Sequence, residues 1–109
     1  MANTFKLKTK ANVGVTTVGI YTAPAATTTV VIGITLSNIS GSGVNVGVGI
    51  TRAGTTEDVK LLKNAPIPQG SSLEFMGGNK VVLETTDTLT VDSDTNNSVD
   101  AALTIMEIT

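Results

Sequence analysis

The chain has no histidine, no cysteine and no tryptophan, and it has only one tyrosine and two phenylalanines among its 109 residues. Without histidine, the commonest general base and metal ligand is missing. Without cysteine there is no disulfide framework and no thiolate site, which fits synthesis in a reducing compartment. The formal net charge of -2 supplies no overall basic field for nucleic acid. No stretch approaches the roughly 18 uninterrupted apolar residues of a membrane span, and Met1 to Lys10 lacks the apolar run of a secretory signal. These absences lead us to expect a soluble, non-catalytic protein, without cofactor or metal and with no direct contact to nucleic acid or membrane.

The residues that are abundant point to sheet. Val and Ile dominate the hydrophobic fraction of 40%, and Thr and Gly are plentiful. Side chains branched at Cβ are stiff and fit a pleated, half-buried surface. Runs of helix-forming residues at helical spacing are absent. The length suits one domain, residues 1–109, with a thin aliphatic core in which Phe5, Tyr21 and Phe75 are the only large side chains.

Hydrophobic alternation marks the strands. Phe5, Leu7, Thr9 and Ala11 alternate with Lys6, Lys8 and Lys10, which reads as a half-buried strand with a solvated lysine face. Val18, Ile20 and Thr22 follow, then a long strand from Thr27 to Ser37 with Val30, Ile32, Ile34 and Leu36 on one face. Asn38 to Gly43 is a turn composition. Val44, Val46, Val48 and Ile50 return opposite Asn45, Gly47, Gly49 and Thr51, and two glycines on one strand face predict a close neighbour or a bulge. After a polar loop from Arg52 to Asp58, Val59 to Leu62 is a short strand. Pro66 and Pro68 each lack a backbone donor, so that stretch belongs at an edge or a connection. Leu73 with Phe75, a turn at Gly77-Gly78-Asn79, Val81 to Leu83, Leu89 with Val91, and Val99 to Ile108 complete the set. Eight or nine strands at such spacing predict an all-β, antiparallel β-sandwich, jelly-roll or Greek-key-like.

Chemistry-bearing patterns are sparse. Asp92-Ser-Asp94-Thr-Asn96-Asn97 resembles the opening of a calcium loop, but the sixth position is Asn97 instead of Gly and the twelfth is Leu103 instead of Glu. Turn chemistry alone accounts for it. The pairs Gly41/Gly43 and Gly47/Gly49 neither open a helix nor precede the lysine of a phosphate loop. Glu84 and Asp87 could in principle serve a glycosidase, yet they share one short turn, where solvated acids are the norm.

The lysine stripe is more informative. Three like charges on one strand face repel unless something compensates. From Glu74 onward the chain is acidic, with Glu74, Glu84, Asp87, Asp92, Asp94, Asp100 and Glu107 against Lys80 alone. The stripe can protect an exposed edge strand from aggregation, or a basic and an acidic surface can meet between subunits. Phe5, Lys6, Leu7, Lys8 and Lys10 are therefore the expected subunit-contact residues, and residues 1–11 the expected partner-binding strand.

Several segments resemble a known group of proteins in combination. They are the opening Met1-Ala-Asn-Thr-Phe-Lys-Leu-Lys, the strand entry from Tyr21 to Val30, Ala65-Pro-Ile-Pro-Gln-Gly-Ser-Ser-Leu73, Gly77-Gly-Asn-Lys-Val-Val-Leu-Glu84, and the ending Leu103-Thr-Ile-Met-Glu-Ile-Thr109. Together they look like small structural proteins of tailed bacteriophages. The resemblance spans nearly the whole chain, and its motifs are turn and strand signals with no catalytic residues to carry over. It implies a β-sandwich present in many copies in the virion, assembled in the host cytoplasm. One expectation is a capsid decoration or cement protein that stabilises the phage head, bound to the major capsid protein as a homo-oligomer such as a trimer. The alternatives are a neck, tail or fibre-attachment component and, from another class, a carbohydrate-binding module, which would want aromatic platforms this sequence lacks.

Overall fold

The structure, a computed structural model, describes residues 3–52, 57–75 and 80–109, with Phe75 described by its backbone alone. The turn expected at Gly77-Gly78-Asn79 and the centre of the Arg52 to Asp58 loop lie outside the described residues. Among the described residues there are nine strands and no helix. They are β1 (Asn3–Val13), β2 (Val18–Thr22), β3 (Thr28–Asn38), β4 (Val44–Arg52), β5 (Glu57–Ile67), β6 (Ser72–Phe75), β7 (Val81–Leu83), β8 (Asp87–Ser93) and β9 (Val99–Ile108).

All pairings among the described residues are antiparallel, and one set of them is nested. β4 pairs β5, β3 pairs both β6 and β7, β2 pairs β8, and β1 pairs β9. The chain is thus one long hairpin, rolled so that its successive pairs fall alternately into two sheets. One sheet runs β1-β9-β3 and then β6 and β7 together, and the other runs β2-β8-β4-β5. With β6 and β7 counted as one interrupted strand, this is the order of an eight-stranded jelly roll.

One cluster of aliphatic side chains fills the space between the sheets, led by Val31, Ile34, Leu36 and Leu103 from one side and Val46, Val48, Leu89 and Val91 from the other. β9 alternates as its sequence predicts, with Val99, Ala101, Leu103 and Ile105 inward. β3 does not keep the single face expected of it. Ile32 is an extra residue opposite β9, because Val31 faces Ile105 and Gly33 faces Thr104. This bulge reverses the alternation, so Thr29 and Val31 point inward before it and Ile34 and Leu36 after it. The core is more aliphatic than expected. Tyr21 is buried in it, but Phe5 is not, and the side chain of Phe75 lies outside the described residues.

The expected short strand at Val59 to Leu62 is the centre of the longer β5. Two register shifts against β4, one of them at Asn64 with φ 55°, break its pattern. Pro66 lies in β5, which is the edge of its sheet, where a missing donor does no harm.

Candidate subunit-contact surface

β1 is an edge strand, paired on one side with β9 in an unbroken register from Asn3 opposite Ile108 to Lys10 opposite Ala101. The register fixes which way its side chains point, since directly opposed residues share a face. Lys6, Lys8 and Lys10 lie opposite Ile105, Leu103 and Ala101, all of which point into the sandwich. The lysines therefore occupy the inner face, at the open rim of the sheet. Phe5 and Leu7, expected to be half-buried, are instead on the outer face and 68% and 66% exposed. Alternation gave the period of this strand correctly but the wrong inside.

Lys6 is held on that inner face by an ion. Its Nζ lies 2.9 Å from Glu107 Oε1, and Glu107 is itself buried. The other oxygen of Glu107 accepts a hydrogen bond of 2.6 Å from the Tyr21 hydroxyl, which also lies 2.7 Å from Thr29 Oγ1. The bond from Tyr21 and the neighbouring Lys6 stabilise the carboxylate and hold its pKa below the ordinary value. Burial, together with the acceptor Glu107, pushes the Tyr21 phenol up to about 12, so it remains a donor at any ordinary pH. Glu107 thus belongs to the interior instead of the acidic surface to which its sequence position assigned it. Lys8 and Lys10 form no ion pair among the described residues.

A second charged cluster, at the far end of β4, was also invisible in the sequence. Asp87, expected to be solvated, is buried and accepts from Arg52 Nε at 3.2 Å and from the Glu84 backbone N–H at 2.9 Å. Arg52 also pairs with Glu84. These two carboxylates raise the Arg52 pKa further, Asp87 contributing most. An open groove of about 350 Å³ lies beside them, lined by Ile50, Val59 and Val82 as well as the three charged residues. With both acids engaged by Arg52 and Asp87 also taking a backbone bond, neither is arranged as a free acid and base pair.

The Asp92 to Asn97 segment spends its oxygens on structure. Asp92 Oδ2 accepts from the Thr17 hydroxyl at 3.0 Å, and Asp94 Oδ1 accepts from the Asn45 backbone N–H at 3.1 Å. No group of three or more acidic, histidine or cysteine side chains is placed to hold a metal among the described residues. Gly47 and Gly49 behave as expected of glycines with close neighbours. A Cβ on Gly47 would come within 2.5 Å of Asp92 Oδ1, and one on Gly49 within 2.9 Å of the Val59 carbonyl oxygen.

The fold and its surfaces define an antiparallel jelly roll whose edge strand β1 is long, exposed and regular from Asn3 to Lys10. No family model matches the chain, and no curated protein matches its sequence. Among solved structures it is similar to a chain from the Bacillus endospore appendages, described as a family of disulfide-linked pili. The identity is 15%, the match covers 99% of this chain and 87% of that one, and the TM-score is 0.57. A second match, to the virus-like particle of the extra small virus of the prawn Macrobrachium rosenbergii, covers 98% of this chain and 79% of that one, at 11% identity and a TM-score of 0.36. At such identities the first match speaks for the fold alone, and the second is too distant to carry an argument.

Proposed function

We propose that this chain is a non-catalytic structural subunit, a single β-sandwich domain that attaches to other protein subunits of an assembled particle through β1. The observation that carries this reading is the state of the open sheet edges. Open edges are hazards that folds normally blunt with bulges, prolines, shortness or charged side chains, and between Asn3 and Lys10 β1 has the lysines alone. β2 is interrupted by the extra residue Ile20, and β5 by two register shifts and Pro66. β1 is regular from Asn3 to Lys10 and almost wholly exposed. An edge with an unbroken register that also presents Phe5 and Leu7 to solvent suits addition to a neighbouring subunit, where main-chain hydrogen bonds supply affinity.

The resemblance to small structural proteins of tailed bacteriophages makes the particle a virion and the role a decoration or cement protein on the head, bound to the major capsid protein as a homo-oligomer such as a trimer. A second reading keeps the same edge but arranges the copies in a ring or tube at the neck or tail. This chain has no cysteine, so such a polymer would be held without disulfides. The carbohydrate-binding reading loses its tyrosine platform, because Tyr21 is buried with its hydroxyl engaged.

Locating the chain's density in a reconstruction of the particle tests these readings. Density over the head shell, at a copy number on the order of hundreds, supports decoration, and about a dozen copies around one axis supports the neck or tail. Absence of the chain from purified particles overturns both.

A further inference from the structure

We infer that the strand completing β1 is an extended segment of a different subunit with acidic side chains at alternate positions and apolar ones between them, and not β1 of a second copy. The inference rests on the proposed assembly role and names the chemistry of its partner.

Self-pairing is what the edge would otherwise invite. Two copies of β1 brought together antiparallel with inner faces matched, in the register centred on Lys8, would set Lys8 against Lys8 and Lys6 against Lys10. Like charges directly opposed across strands are destabilising. Lys6 is paired with Glu107, so adding a further acid there gains less, but Lys8 feels Glu107 only at longer range and Lys10 makes no ion pair among the described residues. The opposite edge of their own sheet offers them little. On β7, the residues that share the lysines' face are Val81 and Leu83, opposite Val31 and Thr29 of β3, and on β6 Glu74 lies opposite Thr35 and so on the outer face.

The outer face of β1 makes the opposite demand. Phe5 lies in a cross-strand row with Met106, Val30 and Val82, and Leu7 stands beside it. An added strand would place every second side chain against Phe5 and Leu7, where apolar groups remove exposed surface from water. Its remaining side chains would lie opposite Lys8 and Lys10. The two faces of one strand therefore specify an alternating acidic and apolar sequence.

The test uses the full chain and two short end-capped peptides, one alternating Val and Glu and the other Val and Lys. Amide exchange and chemical-shift titration report where each binds. The acidic peptide should protect backbone amides of β1, and the variants Lys8→Gln and Lys10→Gln should each weaken it roughly two- to fivefold. Its binding should also fade with added salt. Equal binding of the lysine peptide, protection confined to β2 or β5, or no binding of the acidic peptide would each overturn the inference. None of those results bears on whether the chain is found in the particle, so the two readings fail separately.

Discussion

The Tyr21 hydroxyl donates to Glu107 Oε2 at 2.6 Å across the interior, tying β2 of one sheet to β9 of the other. Both residues are buried, and Thr29 completes the contact. Tyr21→Phe keeps the ring but leaves one oxygen of a buried carboxylate without its donor. The expected loss is about 1–3 kcal/mol of unfolding free energy, the usual penalty for an orphaned buried polar group. Denaturant unfolding checks it, and a variant as stable as the parent would show that Lys6 alone satisfies Glu107.

Glu107 also gives the fold an acid-sensitive tie. Its folded pKa lies below the ordinary value of 4.5, so the unfolded chain takes up a proton more readily than the folded one. Its contribution is complete above that ordinary value and is lost as pH falls through the lower, folded pKa. Glu107→Gln removes this titration. The stability difference between parent and variant should therefore be constant near neutral pH and shrink on acidification below about pH 4.5. Melting temperatures across that range measure it, and parallel curves would assign the acid response to other carboxylates.

The two glycines of β4 should differ in their tolerance of a methyl group. On Gly49 the nearest obstacle is the backbone carbonyl of Val59, which moves only if β5 moves. On Gly47 it is the side chain of Asp92, which can rotate at the expense of its bond to Thr17, although the Leu62 carbonyl stands 3.3 Å away. Overpacking of this kind costs about 1–3 kcal/mol. Gly49→Ala should fall toward the upper end and Gly47→Ala toward the lower, read from denaturant midpoints. The reverse order would mean that β5 yields more easily than the Asp92 side chain.

Where one face of a strand is dry along its whole length, the sequence reveals the structure. β9 is such a case, and its alternation reads through from Val99 to Ile105. Bulges defeat that reading, because a single extra residue exchanges the two faces. Ile32 does this in β3, and Asn12, with φ 58° and its N–H bonded to Asp100, does so in β1, turning Val13 inward. Period alone also cannot say which face of an edge strand is inside. In β1 the decision rests with Glu107, almost the whole chain away, which draws Lys6 inward. The pairing of Arg52 with Asp87 was hidden for the same reason, since it is made by the fold between strands distant in sequence.

The contact role of β1 can be separated from its role in the fold. Deleting Met1 to Lys10 removes the exposed edge but also the Lys6 partner of Glu107, so some loss of stability is expected along with the loss of attachment. The double substitution Phe5→Ser and Leu7→Ser is cleaner. Both side chains point away from the core, so the isolated chain should keep its stability to within about 0.5 kcal/mol, as exposed substitutions usually do. Attachment to the particle should nevertheless fall sharply, because the apolar surface meant for the partner has gone. Occupancy on particles, measured beside the melting temperature of the free chain, tests both halves. A large fall in melting temperature would show that Phe5 and Leu7 support the fold itself, whereas full occupancy would move the contact surface away from β1.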